Sequence, residues 1–223
     1  MPDTPRDLLV VAAFHPELAP LCALLGDGGS PGFAGRPAAG RIGTTDVRTA
    51  AIGIGLSQAS VGASLSLVEA RPAAVVLVGT CGAYPGTGLR VGDVTVARRV
   101  LLVEPAAVDG AAEFPTPMST ATDADETMRT ALASSGAVAV DVATTLAVTV
   151  NDDLATRIAR ATGAAAEHLE AHGVATACAT LGVPLAIVLG VANVVGSRAR
   201  EEWKQNHHAA SRAAIGVVKA WLA

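Results

Sequence analysis

A chain of 223 residues that is 51% hydrophobic and only 16% charged can bury an extensive core, which argues against a disordered or low-complexity protein. Its net charge of −4, with no basic stripe, argues against nucleic acid as a partner. Three cysteines (Cys22, Cys81 and Cys178) are too few and too odd for a disulfide framework and point to a reducing compartment. The opening segment MPDTPRDLLVVAAFHPELAP lacks the pattern of a secretory leader. No apolar run approaches the ~18–20 residues of a membrane span. The expectation is a cytoplasmic protein that does not contact a membrane, with one domain over residues 1–223.

Taken in order, residues 8–13 form a short continuous apolar run, as do residues 73–78 and 185–191. Such runs predict strands buried on both faces of a sheet. Residues 40–43 and 47–52 flank a Gly-Thr-Thr-Asp segment and predict a hairpin. Residues 57–70 carry Val61, Leu65 and Val68 at helical spacing and stop before Pro72. Residues 94–103 predict another strand. A Pro/Thr-rich stretch, 104–122, is the one long irregular segment, of a length that is often functional. Residues 123–134 and 151–162 predict helices. Between them, residues 138–150 alternate in hydrophobicity and predict a strand. The chain closes with helices predicted over 169–181 and 197–222, the latter with Trp203, Ala210, Ala214, Val217 and Trp221 on one stripe. Strands alternating with helices imply an α/β fold with a mostly parallel sheet.

Four segments carry polar groups where an α/β fold places ligands, at the carboxyl ends of strands. Val78-Gly79-Thr80-Cys81-Gly82-Ala83-Tyr84 runs from a strand into a glycine-rich turn, but has neither the lysine of a phosphate loop nor the spacing of a dinucleotide fingerprint. Glu17 follows the first strand. Glu167-His168-Leu169-Glu170 opens an apolar helix, where a carboxylate also serves the helix dipole. Asn193 ends an otherwise apolar strand, and a buried amide needs partners. Cys81 has no histidine or aspartate spaced to activate it and is read as a small lining residue. Arg198, Arg200 and Lys204 are read as a solvated helix face.

In this order, the motifs GTCGAYPGTGLRVGDVTVA, EHLEAHGVA and LGVANVVG resemble those of the purine nucleoside phosphorylase/nucleosidase superfamily. The resemblance covers nearly the whole chain and implies a three-layer αβα sandwich with a mixed, partly barrel-like central sheet. Asn193, the Val195-Gly196-Ser197-Arg198 run and Trp203 are most similar to the futalosine hydrolase branch, which serves a menaquinone pathway. The loop with Asp109, Gly110, Glu113 and Phe114 is similar to that branch too. The chain departs from the superfamily pattern at Ala192, Leu189, Leu169 and His172.

The resemblance implies that Glu17 activates water and that Glu170 holds the ribose hydroxyls. It implies Asn193 on the purine, with Thr80, Cys81, Gly82, Leu169 and Phe114 contacting the substrate. It also implies no metal or cofactor, a small-molecule purine nucleoside as ligand, and a homo-oligomer, dimeric or higher. Phosphorylases of this superfamily often carry an arginine at the position of Leu77, and Glu17 would repel phosphate, so hydrolysis is favoured over phosphorolysis. A phosphorylase, a methylthioadenosine/adenosylhomocysteine nucleosidase and a non-catalytic nucleoside-binding protein remain the alternatives.

Overall fold

The computed structural model describes residues 4–26 and 38–223; the first three residues of the opening segment, read above for a leader, lie outside them. Among the described residues, nine strands form one sheet: β1 (Asp7–Ala12), β2 (Ala39–Ile42), β3 (Thr45–Ala51), β4 (Ala74–Ala83), β5 (Val94–Leu102), β6 (Ala121–Asp123), β7 (Val138–Thr144), β8 (Ala166–Glu167) and β9 (Leu185–Val194). The helices are α1 (His15–Leu24), α2 (Leu56–Ala70), α3 (Pro105–Val108), α4 (Glu126–Ser134), α5 (Asp152–Thr162), α6 (Ala171–Leu181) and α7 (Ala199–Leu222). None is long and apolar enough to cross a membrane.

The three predicted apolar runs become β1, β4 and β9, and their uninterrupted hydrophobicity has a direct cause. Successive side chains of a strand point to opposite faces. Leu9, Val11, Val75, Leu77, Ile187 and Leu189 pack on one face against Ala59, Ala63 and Leu67 of α2 and Val174 and Cys178 of α6. Leu8, Val10, Val76, Val78, Ala186 and Val188 pack on the other against Leu18 and Leu21 of α1, Leu132 of α4 and Ile215 and Val218 of α7. With both faces covered, the stretches 8–12, 74–78 and 185–191 leave no position for a polar residue. The result is the expected α/β three-layer sandwich.

The sheet is mixed. β1 runs parallel to β3 and β4, and β4 parallel to β9, whereas β5 meets β9 antiparallel. β7 runs parallel to β5 and β8, and β8 returns antiparallel to β4. The pairings β4–β9–β5–β7–β8–β4 therefore close a ring, the barrel-like part of the fold. Glycine lets the layers approach: a Cβ on Gly190 of β9 would run into the Ala210 backbone of α7.

Several boundaries differ from the sequence expectation. β4 continues to Ala83 and β9 to Val194, because both carry their glycine and polar residues inside the strand rather than after it. β7 stops at Thr144, six residues early, and Leu146, Val148 and Val150 are exposed. Their alternation reports not a strand but a loop with apolar side chains. α2 buries Ala59, Ala63 and Leu67, so the stripe of Val61, Leu65 and Val68 faces outward, at 62%, 66% and 59% exposure. α1, masked in the sequence by Pro16 and Pro20, follows β1 directly. The irregular stretch contains only the single turn of α3 before it joins β6.

Candidate active site

The carboxyl ends of β1, β4 and β9 and the amino-terminal turn of α7 surround one cavity of about 550 Å³, within the usual range for a small-molecule site. Its lining includes Glu17, Thr80, Cys81, Gly82, Leu169, Glu170 and Asn193. Seven of the eight residues expected at the site are thus brought together from four separate segments. Phe114 is not: it sits half-buried in the 104–122 stretch, outside the cavity lining of this chain.

Glu17 lies in the first turn of α1, 4% exposed. Its Oε1 accepts hydrogen bonds from the Thr80 amide and the Thr80 hydroxyl, both at 3.0 Å. Its Oε2 takes no hydrogen bond from any described residue. Burial, reinforced by the nearby charge of Glu170, pushes the carboxyl up to about 8, while the bonds from Thr80 pull the other way. The group is therefore a base of near-neutral strength with one oxygen uncommitted.

Glu170 stands just before α6 and is equally buried. Its Oε1 accepts from the Gly55 amide at 2.7 Å. Gly55 adopts φ of 82°, which an L side chain resists, and this turn aims the amide at the carboxylate from the start of α2. On the other side, His168 Nε2 lies 3.4 Å from Glu170 Oε2. His168 Nδ1 accepts from the Glu170 and Ala171 amides, so its proton resides on Nε2, facing Glu170. Burial holds its pKa low, leaving the ring neutral. Both oxygens of Glu170 are thereby oriented.

Asn193 owes its place to an irregularity. The β4–β9 register shifts after Cys81, so that Cys81 pairs with Val191 and Gly82 with Asn193. Ala192 is the extra residue of a bulge, a device that re-aims a side chain. A Cβ on Gly82 would lie 2.8 Å from Asn193 Nδ2, so only glycine admits the amide here. Nδ2 donates to the Val194 carbonyl at 3.0 Å.

The unusual neighbours of Asn193 turn inward to the core: Ala192 and Leu189 are fully buried. Cys81 is buried as well, and its thiol is pushed up to about 12, which leaves it without nucleophilic character at neutral pH. His172 makes no contribution to the lining; its Nδ1 is buried without a partner among the described residues.

A match to the phosphorylase superfamily model extends over residues 7–223. The chain belongs to that superfamily. No curated protein matches it in sequence. Among solved structures, the S-adenosylhomocysteine nucleosidase of Streptococcus pyogenes, in complex with 5-methylthiotubericidin, superposes with a TM-score of 0.85 at 20% identity, over 99% of this chain and 97% of that one. The methylthioadenosine/S-adenosylhomocysteine nucleosidase of S. pneumoniae, with a transition-state inhibitor, gives 0.83 at 21% identity over 96% and 97%. A mutant of futalosine hydrolase from Helicobacter pylori gives 0.84 at 16% identity over 96% and 97%. At these identities the likeness establishes the fold.

The superfamily member's cavity also contains residues not singled out as contacts from the sequence. Phe14, Ile54, Val148, Val150, Arg200 and Trp203 line it, as do Glu167 and His168. Glu167 does not serve the helix dipole as its sequence position suggested. It ends β8 and accepts from Tyr84 Oη at 2.9 Å, Thr149 N at 3.0 Å and Thr149 Oγ1 at 2.6 Å. Those bonds pin the 145–150 loop and set Val148 and Val150 as an apolar wall. The wall had one trace in the sequence, the alternation past Thr144. The His168 cap had another, its spacing of three residues before Ala171. Arg200 is exposed at the cavity and not merely on a solvated helix face; Arg198 pairs instead with Glu202 at 3.3 Å. Among the described residues, no group of three His, Cys, Asp or Glu could hold a metal ion.

Proposed function

We propose that this protein hydrolyses the N-glycosidic bond of a purine nucleoside, and that futalosine, cleaved to hypoxanthine and dehypoxanthinyl futalosine in a menaquinone pathway, is its substrate. It would act in the cytoplasm as one domain over residues 1–223. The observation that carries this reading is the meeting of Glu17, Glu170 and Asn193 around one nucleoside-sized cavity.

Cleavage builds positive, oxocarbenium character on the ribose and negative charge on the departing purine. A site accelerates it by binding that charge distribution better than the ground state. Glu17 Oε2 takes a proton from water attacking the anomeric carbon. Glu170, fixed by Gly55 and His168, accepts from the ribose hydroxyls and places a negative charge beside the developing cation. Asn193 offers Oδ1 to a protonated N7 and Nδ2 to O6, a pairing that an ionised carboxylate cannot make and that suits a 6-oxopurine. Thr80, Cys81, Gly82 and Leu169 shape the pocket.

Hydrolysis is supported over phosphorolysis by charge. Three carboxylates (Glu17, Glu167 and Glu170) line the cavity against one arginine, the exposed Arg200. Leu77, at the phosphorylases' arginine position, is wholly buried in the core. A second reading is a methylthioadenosine/adenosylhomocysteine nucleosidase, the activity that names two of the structural neighbours. The deciding measurement is free-base release from futalosine, inosine and methylthioadenosine, with and without phosphate. Hypoxanthine from futalosine without phosphate is expected. Faster adenine release selects the second reading, and a phosphate requirement selects a phosphorylase. Binding by calorimetry without any release selects a non-catalytic nucleoside-binding protein.

The protein is also proposed to be a homo-oligomer, dimeric or higher. The outward stripe of Val61, Leu65 and Val68 on α2 supports this, since three apolar residues in helical register on one exposed face favour burial against another surface. Sedimentation should give a mass above the 22.2 kDa monomer, and Leu65→Glu should return it to the monomer. A monomeric parent protein would reject the proposal.

A further inference from the structure

A chain of donors runs from α7 to the bonded oxygen of the Glu17 carboxylate. Trp203 Nε1 donates to Thr80 Oγ1 at 3.0 Å, and Thr80 Oγ1 donates to Glu17 Oε1 at 3.0 Å. An indole N–H can only donate, and a hydroxyl has one proton. With Trp203 bonded to one lone pair of Oγ1, the hydroxyl is polarised and its proton is directed to the carboxylate. The indole is itself held in place. His207 stacks on it at 4.3 Å with an 11° tilt, and Phe14 approaches from another side at 6.5 Å.

We propose that Trp203 is a positioning residue for the base: acting through the Thr80 hydroxyl, it favours the ionised form of Glu17 and confines the proton-accepting role to Oε2. The proposal rests on Glu17 serving as the base, and it gives position 203 a reason to be tryptophan beyond packing. Burial and the charge of Glu170 work against ionisation of Glu17, whereas both Thr80 bonds work for it. Without the indole N–H, the Thr80 hydroxyl can rotate its proton elsewhere, and this support weakens.

Trp203→Phe replaces none of the other titratable and charged groups around the site. They are Glu170 and His168 beside α6, Glu167 on β8, Cys81 on β4, His15 on α1, and Arg200 on α7, with His207 and His208 behind the indole. Any shift in the Glu17 titration can therefore be referred to the bond removed.

The test needs no substrate. The protonated carboxyl of Glu17 is followed by infrared difference spectroscopy of the free protein across pH, with Glu17→Gln as the blank. Trp203→Phe keeps a ring and removes the N–H. Its midpoint should rise by ~0.5–1 unit, a fraction of what a full bond to a charged group supplies. Thr80→Val should raise it at least as far, and Thr80→Ser should leave it near the parent value. In the Thr80→Val background, Trp203→Phe should add nothing, because a double-mutant cycle isolates an effect carried through a shared partner. An unchanged or lowered midpoint in Trp203→Phe, or an undiminished shift in the double variant, would overturn the proposal. The same variants, assayed for base release from futalosine, should move the acid limb of kcat/KM upward with the midpoint. If Glu17→Gln turns over normally, the catalytic reading fails while the infrared result still decides whether Trp203 acts through Thr80.

Discussion

Glu17→Gln should abolish turnover and make the protein more stable. The loss of rate should be about 10²–10⁴-fold, the usual contribution of a positioned general base, with nucleoside binding retained. The gain in stability follows from the position of the carboxyl, buried with only one oxygen bonded. Its folded pKa of about 8 stands well above the ordinary carboxyl value of 4.5. A group so raised binds its proton more tightly folded than unfolded. Below pH 4.5 both states are protonated, and ionisation costs the fold nothing. Between 4.5 and 8 the unfolded chain releases the proton while the folded chain keeps it, so stability falls as pH rises. At pH 8 that cost is on the order of a few kcal/mol. Glutamine fits the space and does not ionise. Calorimetric melting across pH should show the two proteins coinciding at pH 4 and the variant melting several degrees higher at pH 8. Variants with parallel Tm curves would show that Glu17 is not strained by its site. The parent kcat/KM should rise with pH through an acid limb near 8, which the variant lacks.

That conflict between site and stability explains which parts of the molecule were legible in the sequence. The core strands β1, β4 and β9 were, because burial on both faces leaves an unbroken apolar run. Glu17, Glu170 and Asn193 were singled out through motifs that resemble those of the superfamily, and the cavity brings the three together. Features that depend on pairing were not. The bulge at Ala192 exists only in the register between β4 and β9. The His168 cap depends on which ring nitrogen meets the α6 amides. Val148 and Val150 carry strand-like alternation, yet the Thr149–Glu167 bonds draw that segment out of the sheet and make it a wall. The stripe on α2 has true helical spacing, but Ala59, Ala63 and Leu67 occupy the inward face, where α6 packs against them. Sequence periodicity identifies a helix; it does not say which face is buried when both are apolar.

Asn193→Asp should change which base the enzyme releases. The amide donates to the Val194 carbonyl at 3.0 Å, and it sits in a pocket where it is 7% exposed. An aspartate there meets two obstacles to ionisation: burial, and a carbonyl oxygen that repels a carboxylate. Both favour the neutral acid. A neutral acid can do what an amide cannot, delivering a full proton to N7 as the glycosidic bond breaks. Adenine, which lacks the O6 acceptor that Asn193 pairs with, depends most on that proton. Adenine release from methylthioadenosine should therefore rise by about 10–10²-fold at pH 6, a portion of the range for general acid catalysis, and decline at higher pH as the acid ionises. Hypoxanthine release from futalosine should fall, because the carboxylic acid cannot donate to O6 and accept at N7 as the amide does while also protonating the ring. The ratio of the two kcat/KM values, measured by free-base release at several pH values, reads the change directly. If both substrates change by the same factor, Asn193 does not select the base, and the preference for a 6-oxopurine must come from elsewhere in the cavity.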